Sequence, residues 1–194
     1  MDSLKRIYLM RHCSAGGQHK DSPLTTEGIR QAQLLAKYFY NLQIPIDKII
    51  SSPYLRAIES MKPFAQEKGI KIDIDDRLKE RILSEDPVDD WLEILEYSFI
   101  NYDFKLPGGE SSTDAFLRAH QVLEMFYNHD NYSNMIVITH GNILALLLNH
   151  YLQSFGFNEW KELRNPDLFV INYSNRVQSI EHLNYQNTSV KNIL

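Results

Sequence analysis

What most restricts the fold of this chain is an alternation: short apolar or β-branched runs trade places with longer stretches of helical period. Leu4 to Met10 and Met135 to Thr139 ("MIVIT") read as buried strands, and "DKIISS" (Asp47 to Ser52) and "IKIDI" (Ile70 to Ile74) as two more. The stretch "TTEGIRQAQLLAKYFYNL" places Ile29, Ala32, Leu35, Ala36 and Phe39 on one helical face, with Thr25 or Thr26 as its cap. "SPYLRAIESMKPFAQ" begins a second helix with Pro53 near its first position, and Pro63 is expected to kink or end it. A third helix starts near Ser111 or Ser112, with Ala115, Phe116, Ala119, Val122, Leu123 and Phe126 on one face. A fourth follows His140 and is built from Ile143, Leu144, Leu147 and Leu148. "LFVINY" and "RVQSIEHL" flank Ser174-Asn175 as a hairpin. Strands alternating with helices predict an α/β fold of three layers, with a mainly parallel central sheet flanked by helices.

No repeat, low-complexity run or linker divides the chain, so one domain over residues 1–194 is expected. Residues 86–109 are the least regular. They carry Trp91, Phe99, Tyr102 and Phe104 and end at Pro107-Gly108-Gly109, which suits either a lid over a site or a packing excursion. A net charge of −5 leaves no basic excess to neutralise phosphates, which argues against a nucleic-acid partner. The single cysteine, Cys13, cannot form an internal disulfide and suits a reducing compartment. No leader pattern and no apolar stretch of bilayer length are read, so a cytoplasmic protein without a membrane partner is expected. The oligomeric state is left open.

The chemistry gathers at strand ends. The first strand ends at Arg11-His12 and the "MIVIT" strand at His140-Gly141-Asn142, while Arg56 lies on the first turn of the helix after Ser51-Ser52-Pro53. Ligands of open α/β sheets bind at the carboxyl ends of the strands, so these residues are expected in one crevice. Two arginines and two histidines there make a site for a phosphate dianion, because guanidinium forks match phosphate oxygens. One histidine at a strand end is usually incidental; the joint pattern is what carries weight.

That pattern resembles the histidine phosphatase superfamily, with its phosphoglycerate-mutase-like fold. The resemblance rests on "LMRHCSAG", "DSPLTTEGIRQA", "SSPYLRAIES", "LKE", "PGGES" and "VITHGN", which follow in the family's order from Ile7 to Asn142. It implies phosphoryl transfer through a phosphohistidine, with His12 as nucleophile and Arg11, Arg56 and His140 holding the phosphoryl oxygens. Glu80 would be the general acid, with Glu85 and Glu110 as competitors for that role. The residue types suit the roles on chemical grounds. Neutral imidazole is a good nucleophile, fixed cations stabilise charge on the equatorial oxygens, and a carboxyl beside phosphate can protonate the leaving alkoxide. Neither a cofactor nor a metal is expected.

The chain departs from the family in "CSAGGQHK", where Cys13 replaces the usual Gly and the phosphate-contacting Asn is missing. Ser14 and Gln18 are candidates for that lost hydrogen bond, and Asn142 is a third candidate substrate contact. Cys13 either fills a glycine position at a turn or, beside two cations, has a lowered pKa. A cysteine nucleophile would want Cys, five residues, then Arg, and His19 stands where that Arg would be. The expected function is an acid-type histidine phosphatase acting on a small phosphorylated metabolite. The alternatives are a phosphoglycerate mutase and a low-activity interaction module on the same fold. Arg81 and Lys105 either meet a second phosphate or face water.

Overall fold

The computed structural model describes residues 4–186. Its elements are β1 (Lys5–Arg11), α1 (Thr26–Asn41), β2 (Lys48–Ser51), α2 (Leu55–Lys68), β3 (Ile72–Ile74), a 3-10 turn (Asp76–Leu78) and α3 (Trp91–Ile100). These are followed by α4 (Ser112–Tyr127), β4 (Asn134–Thr139), α5 (Gly141–Tyr151), α6 (Phe157–Glu162), β5 (Leu168–Ser174) and β6 (Arg176–His182). Six strands form one sheet in the order β3-β2-β4-β1-β5-β6. The first four are mutually parallel, and the β5–β6 hairpin continues the sheet antiparallel from β1. Three layers around a mainly parallel sheet are thus what the alternation predicts. The one-domain expectation also takes in residues 1–3 and 187–194, which lie outside the described residues.

The two-residue period of the strands sorts their side chains between two cores. Tyr8 and Met10 of β1 and Ile136 and Ile138 of β4 pack with Leu35 and Phe39 of α1 and Met61 and Phe64 of α2. Ile7, Leu9, Met135 and Val137 point the other way, onto Val122 and Leu123 of α4 and Leu144 and Leu147 of α5. Each fully buried side chain of this size contributes about 1.5–3 kcal/mol, so both faces hold their helices firmly. Among the described residues no helix is long and apolar enough to cross a membrane.

Several local expectations need correction. Ile29 is exposed, because Gly28 takes the inward position on α1. A Cβ at Gly28 would stand 2.0 Å from the Ser14 carbonyl oxygen, so only glycine lets the loop after β1 lie on this helix. Thr25 is the cap, its hydroxyl accepting from Gly28 N–H. Pro63 does not end α2, which continues to Lys68 and stops at Gly69 in the left-handed region, at φ 66°. Burial of Met61, Phe64 and Ala65 on both sides of Pro63 outweighs its missing donor. Pro53 lies two residues before the first helical residue, with Tyr54 as N-cap. Residues 86–109 contain a regular helix, α3, and α6 was equally unforeseen.

Strand register sets up the crevice. Arg11 pairs with Thr139 across β1 and β4, so His12 and His140 leave adjacent strand ends together. His12 N–H donates to the Thr139 carbonyl at 3.0 Å, and Ser52 N–H donates to the Ile138 carbonyl at 2.9 Å.

Candidate active site

Both histidines are buried, with ring centroids 5.1 Å apart. His12 Nδ1 lies 2.7 Å from the Cys13 carbonyl, an acceptor only, so that nitrogen carries the proton and Nε2 keeps its lone pair. Burial, and then the charges of Arg56 and Arg11, push the His12 pKa down to about 3 against the pull of the Cys13 carbonyl. The imidazole is therefore neutral at physiological pH. His140 is also held neutral, its pKa well below the ordinary value, by burial first and then by His12, Arg56, Arg11 and Arg118. Its Nδ1 accepts from Arg56 Nη2 at 3.3 Å, which leaves Nε2–H to donate to Ser52 Oγ at 2.7 Å.

Arg56 ties these groups together. It is 1% exposed, and its guanidinium donates through Nε to His12 Nε2 at 3.1 Å. Its Nη1 donates to the Gln18 and His19 carbonyls at 3.1 and 2.9 Å. The second residue of α2 is thus clamped by the loop after β1, and the Tyr54 ring lies against it at 4.8 Å. Arg11 donates through Nη1 to the Leu163 carbonyl at 2.8 Å, while its buried Nε has no partner. Burial lowers the pKa of both arginines without threatening their charge.

A cavity of about 440 Å³ opens beside this cluster, lined by Arg11, Gln18, Glu80, Arg81, Gly141 and Asn142, with Leu83, Trp91, Leu95 and Trp160 as its apolar walls. Glu80 Oε2 accepts from Asn142 N–H at 3.2 Å and Oε1 from Ile143 N–H at 3.4 Å, which sets the carboxylate on the N-terminus of α5. Two links hold its segment there: Thr139 Oγ1 donates to the Leu78 carbonyl at 2.8 Å, and Arg118 Nη1 donates to the Arg77 carbonyl at 2.5 Å. The rival glutamates are placed otherwise. Glu110 is bound by Arg118 at 2.7 and 2.9 Å, and Glu85 is exposed.

The structure brings Arg11, His12, Arg56, Glu80, His140, Gln18 and Asn142 into this region; Ser14 is set apart from the cavity wall. Ser14 meets α1 through its backbone, its N–H donating to Gln31 Oε1 at 2.9 Å. Gln18 contributes its carbonyl to Arg56 and also lines the cavity. Of the four aromatic residues that suit either a lid or a packing excursion, only Trp91 lines the cavity. Phe99 instead meets Phe157 and Phe104 meets Tyr97, at 6.1 and 5.0 Å between ring centroids. Cys13 is fully buried, and burial raises its pKa to about 12, so the lowered-pKa alternative is reversed. Lys105 faces water beside Asp114, whereas Arg81 is buried.

Three contacts were not anticipated from sequence. Ser52 Oγ holds His140, Ser60 Oγ accepts from Cys13 N–H at 2.8 Å, and Asn165 Nδ2 donates to the His12 carbonyl at 2.9 Å. Ser52 and Ser60 sit within segments already singled out, but Asn165 carries no motif. An array of fixed cations around one unprotonated imidazole nitrogen, with a carboxylate at the rim, is able to bind a phosphate dianion and attack its phosphorus.

The sequence profile of the histidine phosphatase superfamily (branch 1) matches residues 7–186. The chain is 31% identical over 160 residues to a Hydrogenobacter thermophilus protein named "Putative phosphoserine phosphatase 2", covering 75% of this chain and 77% of that one. It is also 31% identical over 185 residues to the "Probable phosphoglycerate mutase GpmB" of Yersinia pestis, covering 87% and 85%. Among solved structures, a mycobacterial glucosyl-3-phosphoglycerate phosphatase superposes with a TM-score of 0.70 at 20% identity, over 93% of this chain and 99% of the other.

Proposed function

The chain belongs to the histidine phosphatase superfamily, and we propose that it hydrolyses a phosphomonoester of a small metabolite through a phosphohistidine on His12. The observation that carries this reading is the His12 imidazole itself. Its Nδ1 proton is committed to the Cys13 carbonyl and its Nε2 lone pair faces the Arg56 guanidinium. The names of related proteins, two phosphatases among them, support the same reaction class.

In the proposed reaction Arg11, Arg56 and His140 hold the phosphoryl oxygens, the Arg56 Nε–H moving from His12 Nε2 to one of them and the His140 Nε2–H turning from Ser52 Oγ to another. His12 Nε2 attacks phosphorus in line, so the N–P bond forms as the bond to the alcohol oxygen breaks. Glu80, in its protonated form, gives its proton to the departing alkoxide. The imidazole is now cationic, and the Cys13 carbonyl on Nδ1–H stabilises it. Glu80, ionised, then takes a proton from water, whose oxygen attacks phosphorus and breaks the N–P bond. Inorganic phosphate leaves and neutral His12 returns. Cys13, a buried thiol, takes no part.

Hydrolysis of an aryl phosphate tests this. His12→Ala is expected to lower turnover by about 10³-fold or more, Cys13→Ser to retain it, and the wild type to yield an acid-labile, base-stable phosphoenzyme. A wild type that hydrolyses no phosphate ester defeats the reading, as does full activity in His12→Ala. Several Yersinia relatives bear a mutase name, so phosphoglycerate isomerisation is assayed in parallel; a rate above hydrolysis would reassign the enzyme as a mutase.

A further inference from the structure

The reaction above gives Glu80 a proton to deliver, but no regular element holds this residue. Among the described residues, 79–90 belong to neither helix nor strand, since the 3-10 turn ends at Leu78 and α3 starts at Trp91. A general acid works only within hydrogen-bond reach of the atom it protonates, and a misplacement of about 1 Å can cost about 10²-fold. The carboxylate's bonds from Asn142 and Ile143 N–H, at 3.2 and 3.4 Å, are long. Its shortest, from Arg81 N–H at 2.9 Å, lies within the same segment and ties it to nothing outside. The backbone that carries Glu80 must be fixed by other groups.

Two charged side chains that the reaction does not use are placed to do this. Arg118 and Glu110 are 16% and 22% exposed at their side chains. Arg118 Nε and Nη2 donate to the two carboxylate oxygens of Glu110 at 2.7 and 2.9 Å, a side-on fork. The remaining tip, Nη1, donates to the Arg77 carbonyl at 2.5 Å, three residues before Glu80. Nη2 also lies 3.5 Å from the carbonyl of Glu80 itself. Glu110 takes the other side. Its Oε2 accepts from Ile82 N–H at 3.3 Å, its N–H donates to the Ile82 carbonyl at 2.8 Å, and its carbonyl accepts from Arg81 Nε at 3.0 Å. Burial pushes the Glu110 carboxyl up, yet the Arg118 fork outweighs it and holds the pKa below the usual value, so the pair stays ionised. Both flanks of Glu80 are thereby tied to α4, which packs against α5, the helix whose start receives the Glu80 carboxylate.

Resting on the phosphatase reading, we propose that Arg118 and Glu110 are positioning residues for the general acid: their fork clamps residues 77–82 from both sides and so aims the Glu80 carboxyl at the oxygen of the leaving alcohol. Neither side chain lines the cavity. An ion pair withdrawn from water adds little net stability, so what this one supplies is a fixed place for the backbone it binds. The competing role is a staple that only fastens the segment to α4. Loss of a staple slows every ester alike, whereas loss of aim matters in proportion to the leaving oxygen's need for a proton. An alkoxide needs one; a nitrophenolate, stable as an anion, hardly does.

The test measures kcat/KM, which reports transfer to His12, for propyl phosphate and para-nitrophenyl phosphate. Glu80→Gln is expected to cost about 10²-fold or more on the propyl ester and less than about tenfold on the nitrophenyl ester. Arg118→Met should cost the propyl ester at least about tenfold more than the nitrophenyl ester. Added to Glu80→Gln it should cost the propyl ester nothing further, because it acts through that carboxyl. An equal loss on both esters, or no loss, overturns the proposal. So does a propyl loss that recurs in full in the Glu80→Gln background. Should Arg118→Met not fold, Glu110→Gln, which keeps the side chain's shape and removes its charge, is judged by the same two criteria. Each of these outcomes leaves the phosphatase reading standing. A Glu80→Gln loss equal on both esters removes Glu80 as the acid and the clamp's purpose with it. No turnover of any ester by the wild type overturns the phosphatase reading and the proposal together.

Discussion

At Gly141 a Cβ would stand 3.1 Å from Arg11 Cζ and 3.2 Å from Nε, closer than nearly all real side-chain contacts. The first residue of α5 is thus the floor on which the Arg11 guanidinium lies, and its Nη1 bond to the Leu163 carbonyl leaves that plane little room to tilt. Gly141→Ala should displace the guanidinium by a few tenths of an ångström and weaken its hold on an oxyanion. We expect KM for an aryl phosphate and Ki for inorganic phosphate to rise together by about tenfold, the worth of one charge-assisted hydrogen bond, while the melting temperature moves little. Unchanged Ki would show that Arg11 does not need this floor. At the same scale Cys13 shows how a residue's neighbours reverse its chemistry. Two cations nearby in sequence suggest a thiolate, but the side chain packs in the core with burial as its largest influence. Sequence adjacency to His12 says nothing about which way a side chain points.

Between α6 and β5, the loop 163–167 braces the end of β1 from the side opposite β4. The Leu163 carbonyl accepts from Arg11 Nη1, the Asp167 carbonyl accepts from Arg11 N–H at 2.9 Å, and Asn165 donates to the His12 carbonyl. Asn165→Ala removes one such bond, worth about 1 kcal/mol, and should lower kcat about fivefold without changing KM, since it supports the histidine and not the substrate. An equal change in KM would place Asn165 on the substrate instead. This loop also marks the limit of what was legible beforehand. β1, β2, β4, α1, α4 and α5 announce themselves by period, and the strand-end residues His12 and His140 follow from the sheet they imply. Loop 163–167 acts largely through backbone carbonyls, which leave no residue signature. In α3, "WLEILEYSFI" is apolar on several sides, with Leu95 buried while Leu92, Tyr97 and Ile100 are exposed, so no helical stripe stands out. Ile29 is misplaced for the same kind of reason: the inward position belongs to Gly28, the residue with no side chain.

Across the whole molecule, two cores on either side of one sheet drive its strand ends together and bury their polar residues with them. Arg56 and His140 are 1% and 0% exposed, so the site is embedded in the fold and its protonation is coupled to folding. His12 titrates at about 3 in the folded chain and His140 also well below its ordinary value, whereas unfolded histidine titrates near 6.5. Below pH ~6.5 the unfolded chain therefore binds protons that the folded chain refuses. Stability from these groups is fully present above that pH and is lost as pH falls toward the folded value, about 3 for His12, at no more than about 1.4 kcal/mol per pH unit for each histidine. Carboxylates held low in the folded state, such as Asp75 beside Arg77, add their loss only further down, below about pH 4. Urea unfolding between pH 7 and 4.5 isolates the histidine part. The midpoint should fall steadily through this range, and His140→Asn and His12→Asn should each flatten part of the slope, the remainder coming from His120, whose pKa burial also lowers. The same burial that weakens the fold in acid keeps the His12 lone pair available there. The acid limb of kcat/KM should then follow the second ionisation of the substrate phosphate, near pH 6, and shift when an aryl phosphate is exchanged for one of different phosphate pKa. A limb that stays fixed across substrates, together with a flat unfolding midpoint, would mean that these imidazoles are charged in the folded protein and that the attacking nitrogen is not free.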